Sequence, residues 1–302
     1  MIRPPKRKLT MKKLLVWLIR AIARILRILP VRLRFLCGDL IGWIWFDLVK
    51  HRRTIVLDNL LKAYPEWSDE QRIRVGRKSV DHLGRGFIEL LTIPALDRNN
   101  PEHKKEFRIE GREYFDAAER KGLGVCLLGL HLGNGDMNIA GLALHGIPVA
   151  LISKLFNIKW LNDAWFEVRS NLGTEFIAPK NSAYHILKSL KQGKAVAFAQ
   201  DQFKRPPVGV KTHFFGHETG TSMGLAVMAH RSKSPIIPVY TYREEDGTTV
   251  ICFEPEIPFE EKASKDETIA HMTQVFTDKI EAIVRLMPEQ WMWVHKRWKS
   301  FS

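Results

Sequence analysis

Gly129-Leu-His131-Leu-Gly-Asn-Gly-Asp136 is the stretch whose residue types and spacing first suggest chemistry. A histidine and a carboxylate stand five positions apart, with Gly133 and Gly135 between them to let the chain fold back. A carboxylate on one imidazole nitrogen fixes the tautomer and leaves the other nitrogen as an acceptor. It also stabilises the imidazolium that forms when the ring takes a proton. Together these properties describe a general base directed at an external hydroxyl. No serine or cysteine lies within the Gly129–Asp136 stretch to suggest a nucleophile. A plainer reading stands beside this one, with His131 structural and Asp136 capping a helix. A dinucleotide loop fits badly, because G-x-G-x-x-G is absent. His213-x-x-x-His217-Glu218 superficially suggests a metal pair. Gly216 breaks the helix that would bring those histidines together, and the order is not H-E-x-x-H, so no metal site is assigned.

Such a pair needs a strand end and a helix start to hold it. Val125-Cys-Leu-Leu-Gly-Leu130 is a glycine-bounded apolar run that predicts a buried strand, and Asn134 to His145 predicts the helix after it. Further strands are expected at 149–152, 175–178 and 194–199, with a β-pair at 235–242 and 248–256. Helices are expected from Ser68 to about Ile93 with a break, then at 160–171, 182–191, 220–231 and 268–286. Alternating strands and helices predict an α/β fold with a largely parallel central sheet flanked by helices. Ligands of open α/β sheets sit at the carboxyl ends of the strands, which is where His131 falls. Asp201-Gln202 follows another buried strand; it is either a turn or a contact to substrate. Trp291, Trp293, His295 and Arg297 would share one face if extended, as an aromatic-basic platform or as a packed edge.

The charge is concentrated at one end. The chain has 302 residues and a net charge of +14, and residues 1–53 hold 14 of its 47 Lys/Arg but 2 of its 33 Asp/Glu. Residues 14–46 are mostly apolar, yet arginines at 20, 24, 27, 32 and 34 interrupt any run long enough to span a bilayer. A basic, tryptophan-containing helix with a wide apolar face suits the plane of a membrane surface. The internal arginines argue against a signal peptide, and so much Leu and Ile argues against a nucleic-acid arm. A helical hairpin packed on the core is the alternative. Three cysteines without CxxC spacing exclude a disulfide framework and fit a reducing compartment. The chain therefore divides into a membrane-associating segment over 1–50 and a catalytic-sized domain over 51–302.

The His131/Asp136 block resembles the HX4D/E motif of the glycerolipid acyltransferase superfamily. Further blocks resemble the lipid A biosynthesis acyltransferases: His51-Arg-Arg53, Asn59, Tyr64-Pro-Glu-Trp67, Asp201-Gln202, Phe214-Phe-Gly216, Ser234-Pro-Ile-Ile-Pro-Val239 and Pro288-Glu-Gln-Trp-Met-Trp-Val-His-Lys-Arg-Trp-Lys299. The resemblance implies transfer of an acyl chain from acyl-carrier protein, or acyl-CoA, to a hydroxyl of a lipid A precursor, without a cofactor or a covalent acyl-enzyme. It implies a site at the cytoplasmic face of the inner membrane. His131 would be the base and Asp136 its orienting acid. Backbone N–H groups over Gly133, Asn134 and Gly135 would meet the oxyanion, and Asp201 and Gln202 would contact substrate. The family's downstream arginine has Lys154 at the nearest position here, with Arg169 further on. The family usually carries glutamate where Asp136 stands and tryptophan where Gly135 stands. Aspartate is usual in the glycerol-phosphate branch, so a lysophospholipid or another glycolipid is the alternative acceptor. A peripheral membrane-binding protein without activity is the non-enzyme alternative.

Overall fold

The computed structural model describes residues 11–153, 163, 166–167, 170–177 and 182–301. Seven strands among them form one sheet: β1 (Phe107–Glu110), β2 (Val125–Gly129), β3 (Val149–Ile152), β4 (Glu175–Ile177), β5 (Ala195–Ala199), β8 (Ile236–Arg243) and β9 (Thr249–Phe253). Their order is β1-β9-β8-β2-β5-β3-β4, and every neighbouring pair is parallel except β8–β9. The apolar run in β2 serves both faces at once. Cys126 and Leu128 enter one core and Val125 and Leu127 the other, as period-two alternation requires of a doubly covered strand. This is the α/β arrangement expected from the alternating pattern.

Helices α6 (Arg112–Glu119) and α7 (Gly135–Leu144) pack on one face. On the other lie α3 (Arg53–Ala63), α8 (Ser182–Lys191), α9 (Gly224–Ser232) and α10 (Lys265–Leu286). Helix α4 (Asp69–Thr92) opens with a capping box between Ser68 and Gln71 and runs without the expected break. The helix expected from Gly220 starts at Gly224, because His217–Ser222 is a strand, β7, paired antiparallel with β6 (Gly209–Phe214). Thr212, Thr219 and Thr221 are buried between these strands, where hydroxyls rather than apolar side chains fill the interior and hide the hairpin's pattern. The helix read over 160–171 falls largely outside the described residues.

Pro30 separates α1 (Met11–Ile28) from α2 (Val31–Trp43), as its missing N–H and ring dictate. Arg27 turns inward to pair with Glu106. No helix among the described residues is long and apolar enough to cross a membrane. Helix α2 meets α4 through glycines. A Cβ on Gly38 would lie 2.5 Å from the Arg85 Cα, and one on Gly84 2.1 Å from the Gly38 carbonyl oxygen. Gly84→Val should therefore pry the two helices apart and lower the unfolding free energy by about 1–3 kcal/mol, seen as a lower denaturant midpoint at unchanged slope.

Candidate active site

Strands β2 and β5 are adjacent and pair Gly129 with Ala199. His131 and Asp201 each lie two residues beyond that pair, so they leave the sheet side by side at its carboxyl edge. The Asp201 carboxylate takes two bonds from His131: the ring Nδ1 at 2.8 Å from Oδ1 and the backbone N–H donating to Oδ2 at 2.9 Å. Trp291 Nε1 donates to the same Oδ2 at 2.9 Å. The orienting bond expected from Asp136 is thus made by Asp201. Asp136, in the first turn of α7, adds its negative charge toward the ring. Asp201 is 1% exposed, which makes it a partner of the histidine rather than a contact for substrate. Gln202 follows on the turn, half-buried.

Electrostatics match this geometry. The Asp201 carboxylate lifts the His131 pKa above the ordinary imidazole value, opposing the effect of burial, and Asp136 adds to the lift. Asp201 itself is held well below the usual carboxylate range: contact with His131 and the Trp291 bond outweigh the cost of burial. The His131 side chain is 39% exposed, so the ring stays reachable while its acid partner is sealed. His295 stands nearby as a neutral ring, pushed down to about 4 by burial, and its Nε2 accepts from the Phe203 N–H at 3.0 Å.

The loop after His131 is clamped from the carboxy-terminal block. Leu132 bridges Trp291, Met292 N–H donates to the His131 carbonyl at 3.2 Å, and Gly133 N–H donates to the Gln290 carbonyl at 3.0 Å. Gly133 has φ +59, and a Cβ there would strike the Thr241 carbonyl oxygen at 2.5 Å, so only glycine fits. Its N–H is therefore spent and cannot serve an oxyanion, contrary to the expectation. Asn134 is also committed. Its side-chain oxygen caps α7 by accepting from Asp136 and Met137 N–H, and its Nδ2 donates to the Gly86 carbonyl and to Glu89 Oε2. Glu89 in turn forms a buried ion pair with Arg243. The backbone N–H groups of Asn134 and Gly135 carry no bond among the described residues, at the positive end of α7. Gly135 faces open space. Lys154 and Arg169 lie outside the described residues.

The tryptophan block is a packed wall rather than an exposed platform. Trp291 and Trp293 are buried edge to face at 4.5 Å, and Arg297 is buried beneath them against Phe214. Asn59 Nδ2 donates to the carbonyls of Trp293 and His295, and Tyr64 stacks on Trp67 beside Trp293. The early and late sequence blocks thus hold each other. Trp291→Phe keeps an aromatic ring but removes the donor from Asp201. We expect roughly ten-fold lower turnover and an acid limb of the pH–rate profile moved upward, because a less stabilised carboxylate binds the His131 proton more strongly. A role in packing alone would leave that limb in place.

A family model described as bacterial lipid A biosynthesis acyltransferase matches residues 4–300. A lipid A biosynthesis lauroyltransferase of Escherichia coli (strain K12) is 27% identical over 278 residues, covering 90% of this chain and 86% of that protein. A lipid A biosynthesis acyltransferase of Haemophilus influenzae is 26% identical, with 92% and 86% covered. A phosphatidylinositol mannoside acyltransferase of Mycobacterium tuberculosis is 24% identical, with 73% and 69% covered. A solved 1-acyl-sn-glycerophosphate acyltransferase of Thermotoga maritima aligns with TM-score 0.37 and 12% identity, over 84% of this chain and 97% of that one. The chain belongs to the bacterial lipid A biosynthesis acyltransferase family.

Proposed function

We propose that this O-acyltransferase moves a fatty acyl chain from acyl-carrier protein, or acyl-CoA, to a hydroxyl of a lipid A precursor, with His131 as general base and no covalent acyl-enzyme. The observation that carries the reading is the exposed His131 ring with its Nδ1 on the buried, ionised Asp201. Nδ1–H donates to the carboxylate, which leaves Nε2 as acceptor for the proton of the lipid hydroxyl. The oxygen so activated attacks the thioester carbonyl. Charge builds on the carbonyl oxygen, where the Asn134 and Gly135 N–H groups at the α7 start are the open donors. Collapse breaks the C–S bond and expels the thiolate, which takes from His131 the proton that the ring had drawn from the lipid hydroxyl. Asp136 adds negative charge near the imidazolium.

The amino-terminal helices support a membrane-surface position, and the lipid A reading puts it at the cytoplasmic face of the inner membrane. Trp17, Ile25 and Ile28 on α1 and Leu36 and Leu40 on α2 are more than half exposed, with Lys13 and Arg24 beside them. Incubating the purified protein with acyl-carrier-protein thioester and Kdo2-lipid IVA should give a lipid heavier by one acyl chain. The likeness to the mannoside acyltransferase favours a second reading, with the same chemistry on another glycolipid. Lipid mass spectrometry of a deletion strain separates the two, since only the first leaves lipid A under-acylated.

A further inference from the structure

A cavity of about 200 Å³ lies beneath α2, between Val31, Arg34 and Phe35 of that helix, Arg85 of α4 and Met137 of α7. Its charged walls are already paired, with one exception. Arg85 is bonded to Asp39, Lys105 to Glu102, Glu89 to Arg243 and Glu106 to Arg27. Asp246 accepts from the Thr248 N–H of its own turn. The Arg34 side chain has no hydrogen bond and no ion pair among the described residues, and its Nε is fully enclosed without a partner. Its burial lowers its pKa against the pull of Glu106, so the desolvation is not offset within the fold. A guanidinium presents a planar fork of donors suited to phosphate oxygens, and a partly buried one is worth more when such oxygens arrive.

We infer that Arg34 and the cavity beneath α2 form a subsite for a phosphate group on the head of the lipid acceptor. The inference rests on the acceptor reading above. Its position fits an acceptor held in a bilayer. Arg34 lies on the inward face of α2, one helix thickness from Leu33, Leu36 and Leu40, which are exposed on the outward face. Toward the chemistry, the same cavity is walled by Glu89, which binds Asn134 at the α7 start, and by Met137, the residue after Asp136. The cavity thus borders the start of α7, the helix that follows the His131 loop.

The test compares wild type with Arg34→Gln and Arg34→Lys on Kdo2-lipid IVA and on the same lipid after enzymatic removal of its phosphates. The Arg34 side chain makes no hydrogen bond or ion pair among the described residues, so its replacement breaks none there. Arg34→Gln should raise KM for the phosphorylated lipid about ten-fold or more while changing kcat little, and Arg34→Lys should fall between. On the dephosphorylated lipid the three proteins should share one KM. Equal KM for wild type and Arg34→Gln on the phosphorylated lipid, or an equal rise on both lipids, overturns the subsite alone. A wild-type protein that acylates neither lipid refutes the acceptor reading, and the subsite with it. Inorganic phosphate serves as the competitor arm. Inhibition of wild type that Arg34→Gln abolishes without any change in its lipid KM would mean a site for free phosphate, and overturns the lipid assignment.

Discussion

His131→Ala should lower kcat for acyl transfer by about 10³–10⁴-fold while leaving both KM values near wild type, because a general base acts in the transition state and contributes little to ground-state binding. The residual rate should climb with pH, as hydroxide ion takes over deprotonation of the acceptor. A general base must be neutral to work. Since Asp201 lifts the His131 pKa, activity should rise with pH through a midpoint above the ordinary imidazole value of 6.5. Full pH profiles of kcat/KM for wild type and variant decide this. A variant with wild-type turnover at neutral pH removes His131 from the mechanism, and the whole reading of the site goes with it.

Asp201→Asn should cost about 10³–10⁴-fold in kcat, comparable to the loss at the histidine itself. An amide can donate to Nδ1 and so favour the tautomer whose lone pair points inward, leaving Nε2 protonated and useless as a base. The largest influence raising the His131 pKa would also be gone, so the acid limb of the residual activity should move down. The linkage to stability has opposite signs at the two partners. The raised His131 pKa stabilises the fold below the imidazole's unfolded value and is lost as pH rises through the folded one. The depressed Asp201 pKa stabilises above the unfolded carboxylate value near 3.8 and is lost as pH falls below it. Acid unfolding of Asp201→Asn should accordingly be less steep than that of the wild type. If the substitution leaves the rate unaltered, the ring is being oriented by another group.

His131 was legible because its neighbours in sequence are its neighbours in space: an apolar strand, a tight glycine and a helix start follow one another within a dozen residues. Its acid partner was not, and the cause is sheet order. Strand β5 inserts between β2 and β3, so the residue two positions beyond β5 meets the residue two positions beyond β2 across 70 positions of chain. Nothing in local spacing announces that, and Asp136, close in sequence, takes the assignment by proximity. Gly133 shows the same limit at smaller scale. Its need for positive φ is inferable from the doubled-back loop, but the loss of its N–H to Gln290 depends on a segment more than 150 residues away. The tryptophan block was recognisable as a pattern, whereas its burial follows from Asn59, Tyr64 and the β6–β7 hairpin closing over it.

The contact of α2 with α4 through Gly38, Gly42 and Gly84 has a practical corollary. With no side chain of their own at these glycines, the two backbones close on each other, Arg85 pairs with Asp39 across the contact, and α4 carries Glu89 on to the cap of α7. Trimming the amino-terminal helices would remove α2 from that contact. Work on isolated protein is better served by keeping both helices.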